Sequence, residues 1–269
     1  RFGVVTLTEA PQVFVRARVT HEDGRTGWGA AAEMMMPKWF DKNLDLSNED
    51  NFDQLRHALA TVATLYRAAP RATAFGLFRA NYDEQIRICA ERGDGSLVAC
   101  YGPALLDRAI LDALSRLHQV SFYSAVQANL PGIESDEFEI GPFLAGLVPA
   151  NSIHARHTVG MVDPIRENPE PVADGLPETL VEVIAAYGHR YFKIKVCGDL
   201  DEDVNRLREI AEVLDKSLGA YIISLDGNEQ YNDVAGVAAL LDAIEGDGRL
   251  SHFNHSILFV EQPIYRAVA

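Results

Sequence analysis

Two periodicities alternate along the chain from residue 152 onward. Short, nearly continuous apolar runs at 154–162, 191–196, 220–225 and 256–260 are separated by amphipathic stretches at 177–187, 201–218 and 232–244. A short apolar run bounded by turn residues reads as a strand, and apolar positions three and four apart read as a helix face. In 201–218 that face carries Val204, Leu207, Ile210, Ala211 and Leu214, and Gly219 stops it. Strand and helix in strict alternation predict a parallel βα array with strands covered on both faces.

The first half has a different texture. Residues 1–8 and 12–20 read as strands joined by Glu9-Ala10-Pro11, and Gly27-Trp28-Gly29-Ala30 opens a third. His21-Glu22-Asp23-Gly24 supplies a tight turn with glycine where positive φ is needed. This is an antiparallel meander whose first strand starts before residue 1. Met34-Met35-Met36-Pro37-Lys38-Trp39-Phe40 lacks a period and reads as a loop, either packed on the core or facing a substrate. Helices are predicted over 48–69, 82–92 and 103–117, the last with Leu105, Leu106, Ala109, Ile110, Ala113, Leu114 and Leu117 as its stripe. Pro131-Gly132 and Gly141-Pro142 mark 127–146 as irregular. The change of texture divides the chain into an α+β domain at 1–123 and a βα domain at 124–269.

Composition excludes several classes. The 269 residues are 48% hydrophobic and 23% charged, an ordinary globular balance, with no apolar run long enough to span a bilayer and no signal-peptide pattern at the start. A formal net charge of −15 argues against nucleic acid as a partner. Cys89, Cys100 and Cys197 are odd in number and form no CxxC pair, which argues for a reducing, cytoplasmic setting and against a disulfide framework or a structural zinc site.

Candidate chemistry concentrates in Tyr191-Phe192-Lys193-Ile194-Lys195-Val196. Successive strand residues face opposite ways, so Tyr191, Lys193 and Lys195 share one face and Phe192, Ile194 and Val196 the other. Two like charges on a buried strand are costly unless an anion lies opposite; the alternative is an edge strand with solvated lysines. In a βα array the C-terminal strand ends share the face on which barrels build active sites. Those ends carry Asp163, then Lys193 and Lys195, then Asp226 with Asn228, then Glu261. With strands about 4.8 Å apart, cations and anions fall within roughly 5–15 Å of one another. Asp226 and Glu261 are hard oxygen ligands of the kind Mg²⁺ takes. His154 with His157, and His252 with His255, stand three apart, which on a strand sends them to opposite faces and argues against a metal pair.

The Lys-x-Lys strand, Leu225-Asp226-Gly227-Asn228 and Val260-Glu261-Gln262-Pro263 together resemble the mandelate racemase/muconate lactonizing branch of the enolase superfamily. One βα unit separates each motif from the next. Asp107-Arg108-Ala109-Ile110-Leu111-Asp112-Ala113-Leu114 resembles the helix closing the family's capping domain, and Asp23-Gly24-Arg25-Thr26-Gly27-Trp28-Gly29 is similar to the cap hairpin. Asp-Gly-Asn stands where the family usually has Asp-Ala-Asn. The resemblance implies an α/β protein: an α+β capping domain followed by a (β/α) TIM-like barrel, with about the first four βα units in this chain. It implies Mg²⁺-dependent abstraction of the proton α to a carboxylate in a small acid, giving a metal-stabilised enediolate. The outcome is racemisation, epimerisation, dehydration or cycloisomerisation. Lys195 is implied as general base, Lys193 as the cation that neutralises the substrate carboxylate, Asp226 and Glu261 as metal ligands, and Asn228 as a substrate contact. A small carboxylate is the expected partner and a homo-oligomer the expected assembly, with no nucleic acid and no membrane. A closed barrel takes about 250 residues, so a third metal ligand and a second acid/base are expected beyond Ala269. Two rivals stand beside this: a catalytically silent family member acting as a structural or binding protein, and an ordinary βα protein whose lysines and carboxylates are surface ion pairs.

Overall fold

The computed structural model describes residues 9–172, 174–266 and 268; the strand expected at 1–8 lies outside them. The chain separates into two compact units, one up to Pro149 and the other from Ala150. Residues 124–149, placed in the second domain by their texture, cluster with the first unit.

In the first unit β1 (Gln12–Thr20) and β2 (Thr26–Met34) pair as an antiparallel hairpin. Three long helices follow: α1 (Asn48–Ala68), α2 (Ala74–Glu91) and α3 (Ser96–His118). The short α4 (Phe122–Gln127) precedes the stretch read as irregular, and α5 (Ile140–Ala145) lies within it. Helix α2 starts earlier than its apolar spacing predicts because the Thr73 hydroxyl caps it, accepting the Gly76 N–H at 3.0 Å. Helix α3 starts at Ser96, earlier than the expected 103, and Pro103 sits inside it.

The hairpin packs tightly on α3. A Cβ on Gly29 would come within 2.2 Å of Ala109 O and Ala113 N, so only glycine fits. Asp112 Oδ2 accepts the Ala30 N–H at 2.9 Å and ties β2 to the same helix. Val13 and Val15 from the alternating face of β1 join Phe52, Leu55, Val98 and Leu105 in one core. Met35 is buried in that core and Phe40 meets Tyr101 edge-on at 5.1 Å, while Met34 and Trp39 stay exposed. The 34–40 loop therefore packs on the core through part of its length.

In the second unit β3 (Arg156–Val159), α6 (Leu180–Tyr187), β4 (Tyr191–Lys195), α7 (Leu200–Ser217), β5 (Ile222–Asp226), α8 (Val234–Gly246), α9 (Ser251–His255) and β6 (Ile257–Glu261) follow in order. The four strands are parallel, in the order β3-β4-β5-β6. Neighbours in sequence are neighbours in space, with no reversal of the kind that defines a doubly wound sheet; this is the winding of a barrel wall. Phe192, Ile194, Ile223 and Leu225 pack with Leu207, Ile210, Leu214, Leu240, Ile244 and Phe253 from the helices. Each fully buried side chain of this size contributes about 1.5–3 kcal/mol. Among the described residues the helices cover this one face, not both. The opposite face carries Lys193, Lys195, Ser224 and Asp226 beside Tyr191, Ile222 and Phe259.

Helix α9 was not anticipated. It corrects the placement of His252 and His255, which lie on it rather than on a strand. His252 Nδ1 lies 2.8 Å from Asp215 Oδ1 and His255 Nδ1 2.7 Å from Ser251 O, so neither pairs with the other.

Candidate active site at the strand ends

The parallel register sets Lys195 beside Asp226 and Asp226 beside Glu261. Three strands thus present their last residues at one level. Lys193 Nζ lies 2.5 Å from Asp226 Oδ2 and 2.8 Å from Glu261 Oε1. Lys195 Nζ lies 2.6 Å from the same Asp226 oxygen. Asp226 Oδ1 accepts the Asn228 N–H at 3.0 Å. Strand β4 runs between β3 and β5 and is no edge, and the lysine side chains are only 16% and 17% exposed. The solvated-edge reading therefore fails, and so does a surface ion pair, since the Asp226 side chain is 2% exposed.

Electrostatics follow from that burial. Burial alone would raise the pKa of Asp226, but donation from Lys193, from Lys195 and from the Asn228 N–H outweighs it and holds the carboxyl below its ordinary value. For Lys193 burial works against the charge, yet the Asp226 and Glu261 carboxylates prevail and raise its pKa. Lys193 and Asp226 thus stabilise one another in their ionised forms.

Two further polar residues share this face and were missed in the sequence. Arg156 Nη1 donates to Ser224 Oγ at 3.0 Å, and its Nη2 stands 3.8 Å from Glu261 Oε2. The signal was present: Arg156 is in register with Tyr191, and alternation from Tyr191 leads to the lysines. Attention to strand ends alone passed over it. Asp163, the first strand-end candidate, does not join the cluster. Its Oδ2 accepts the Gly160 N–H at 2.7 Å, in a turn that Arg206 braces through the Gly160 and Asp163 carbonyls at 2.6 and 2.8 Å.

The turn after β5 shapes the site. Asn228 adopts a left-handed φ of 45°, which asparagine tolerates better than most residues, and its backbone N–H orients Asp226. A Cβ on Gly227 would come within 2.6 Å of Pro263 Cα, so alanine, usual in the resembling family, has no room here. Cys197 is half-buried, its thiol pushed up to about 11, chiefly by burial. That suits a packed thiol, not a nucleophile. A hollow of about 420 Å³ lined by His154, Tyr187, His189, Tyr191 and Tyr221 opens at the other end of the strands, away from the charged groups. Concavity and chemistry thus separate in this unit, and the charged end is the candidate site.

Could these residues hold a metal? Asp226 and Glu261 reach one ammonium, Lys193 Nζ, from adjacent strands at 2.5 and 2.8 Å. Two carboxylate oxygens that share one cation are the arrangement a hard divalent ion takes, so the donor set fits Mg²⁺.

No family model matches the chain, and no curated protein does. Solved structures do. A mandelate racemase/muconate lactonizing protein from Herpetosiphon aurantiacus is 19% identical, with a TM-score of 0.53, over 95% of this chain and 54% of that one. An isomerase from Streptomyces coelicolor A3(2) is 17% identical, with a TM-score of 0.52, over 98% of this chain and 56% of that one. The chain has their fold. A dipeptide epimerase from Methylococcus capsulatus, complexed with Mg ion, is 22% identical with a TM-score of 0.49, over 93% of this chain and 55% of that one. The chain spans about half the length of these proteins. The α/β class, with a parallel partial barrel, agrees with the sequence expectation. No helix among the described residues is long and apolar enough to cross a membrane.

Proposed function

We propose that this chain belongs to an enolase-superfamily enzyme of the mandelate racemase/muconate lactonizing branch that removes the proton α to the carboxylate of a small acid. The observation that carries this reading is the convergence of two ammonium groups and two carboxylates within 2.5–2.8 Å at the ends of three adjacent parallel strands. Loss of an α-proton puts a second negative charge on the substrate carboxylate, and fixed positive charge around it is the largest source of rate. Asp226 and Glu261 would hold Mg²⁺, which when bound supplies Lewis-acid charge for that developing anion. Lys195 is the residue whose Nζ takes the proton. The ammonium so formed has Asp226 Oδ2 as its counter-charge, already 2.6 Å away. Lys193 faces the substrate carboxylate, and Arg156 adds a cation on the same face. The Asn228 N–H holds Asp226 in position, and its side chain contacts the substrate.

A catalytically silent family member is favoured by one observation: Lys193 alone already satisfies both carboxylates. Metal binding separates the two readings. In the protein that carries this chain, Mg²⁺ binding measured by calorimetry is expected and is lost in Asp226→Ala/Glu261→Ala; binding that survives the double change removes the metal assignment. Solvent deuterium exchange at the α-carbon of small carboxylates, followed by NMR, should fall by at least about 100-fold in Lys195→Ala. Unchanged exchange would show that another group is the base.

A further inference from the structure

The first unit contains a second cluster of metal-ligating side chains, in residues the proposed chemistry does not use. His57 on α1, Cys89 in the last turn of α2 and Asp94 in the α2–α3 turn each offer a ligand atom, and these atoms all lie within 4.8 Å of one another. Among the described residues no other group of three His, Cys, Asp or Glu side chains meets that distance.

Backbone geometry builds this cluster. Gly93, with φ of 87°, ends α2 in the left-handed conformation. The Gly93 N–H bonds to Ala90 O at 2.9 Å and the Asp94 N–H to Cys89 O at 3.0 Å. This is the doubled hydrogen bond of a Schellman ending, which folds the residue after the glycine back over the last turn. An apolar contact between those two positions is usual there. Here the pair is a thiol and a carboxylate. Gln85 then draws α1 and α3 onto α2, its Nε2 donating to Ala58 O and Ala99 O at 2.9 Å each. That places His57 over the Asp94 carboxylate.

Two of the three ligand atoms are unsatisfied as they stand, and Cys89 Sγ accepts only from Gln85 Nε2 at 3.5 Å. The Asp94 side chain is 3% exposed, yet its Oδ2 has no hydrogen-bond partner, and neither has His57 Nδ1. The two stand 3.6 Å apart, too far for a hydrogen bond. Cys89 is a free, fully buried cysteine. A buried carboxylate oxygen without a donor is rare because desolvation is costly. A protonated His57 would offset the charge but would account for neither the separation nor the thiol.

We propose that His57 Nδ1, Cys89 Sγ and Asp94 Oδ2 form a divalent-metal site of the zinc class, with the fourth position open to water beside the partly exposed imidazole. Thiolate, imidazole and carboxylate together suit Zn²⁺ and disfavour Mg²⁺. Donors about 2.0–2.3 Å from a tetrahedral ion lie about 3.3–3.8 Å from one another. The His57–Asp94 separation of 3.6 Å is already close to this, and since all three atoms lie within 4.8 Å no pair needs to close by more than roughly 1 Å. The Cys89 proton passes to solvent as the metal–sulfur bond forms. The ion would join α1 to the α2–α3 turn. The sequence carried no zinc signature because its ligands come from two helices and a turn, not from a CxxC knuckle.

Cobalt(II) titration of the full 269-residue chain tests the site, since a thiolate ligand gives a charge-transfer band that an oxygen-only site cannot. We expect this band to appear with tetrahedral d–d absorption, to bleach on adding Zn²⁺ and to persist in Asp226→Asn, which separates it from the strand-end site. It should vanish in Cys89→Ser and persist in Cys100→Ser and Cys197→Ser. His57→Ala and Asp94→Asn should each weaken Co²⁺ binding at least about 10-fold. A wild-type chain without the band, or a band retained in Cys89→Ser, overturns the proposal. Should Cys89→Ser not fold by circular dichroism, isosteric Asp94→Asn decides: undiminished affinity there overturns it as well.

Discussion

Asp226→Asn should destabilise the second unit by about 3 kcal/mol at neutral pH with divalent ions chelated. The buried Asp226 carboxylate accepts both lysines through one oxygen, at 2.5 and 2.6 Å. Breaking a buried pair by removing one partner costs about 3–5 kcal/mol because it strands the other charge. Here the lower figure applies, since Lys193 keeps Glu261 at 2.8 Å. The cost falls on Lys195. Adding Lys195→Met to Asp226→Asn removes the stranded ammonium and should recover more than 1 of those roughly 3 kcal/mol. Both tryptophans, Trp28 and Trp39, lie in the first unit, so their fluorescence is the wrong probe. Native-state hydrogen exchange at the amides of Ile194 and Leu225 reads the second unit directly. The sign with pH is also set. The folded pKa of Asp226 is depressed, so its contribution is present above the unfolded carboxyl value and lost as pH falls through the folded one. The gap between wild type and Asp226→Asn should therefore narrow below about pH 4. A loss under about 1 kcal/mol, or a double variant no more stable than Asp226→Asn, would refute the shared-oxygen account.

Other expectations follow from single contacts. Gly227→Ala brings a Cβ within 2.6 Å of Pro263 Cα, and a thermal melt of the second unit should show a loss of about 1–3 kcal/mol. Gly29→Ala meets backbone atoms of α3 at 2.2 Å; at least a similar loss should appear in the Trp28 and Trp39 fluorescence transition. Burial pushes the Asp107 carboxyl up to about 6, against the pull of the Tyr66 hydroxyl 2.9 Å away. A raised carboxyl stabilises most below its unfolded value and loses that contribution as pH rises through the folded one. Asp107→Asn, which keeps an acceptor for Tyr66, should thus be more stable than wild type by about 1–3 kcal/mol at pH 8 and no more stable at about pH 4, as urea midpoints will show.

What the sequence determined by itself was periodic or local. Alternation in 191–196 set which residues of β4 face the helices, because the side-chain period of a strand depends on nothing outside the strand. The βα rhythm announced the parallel array, and three short motifs placed Lys193, Lys195, Asp226 and Glu261 at neighbouring strand ends. Tertiary structure decided the rest. Register brought a nominal 5–15 Å of separation down to shared hydrogen bonds, put Arg156 on the same face and left Asp163 in a turn. It also assembled His57, Cys89 and Asp94, since those three meet only when α1 packs on the ending of α2. Contacts between residues remote in sequence depend on how whole elements dock, and no local period in the chain records that docking.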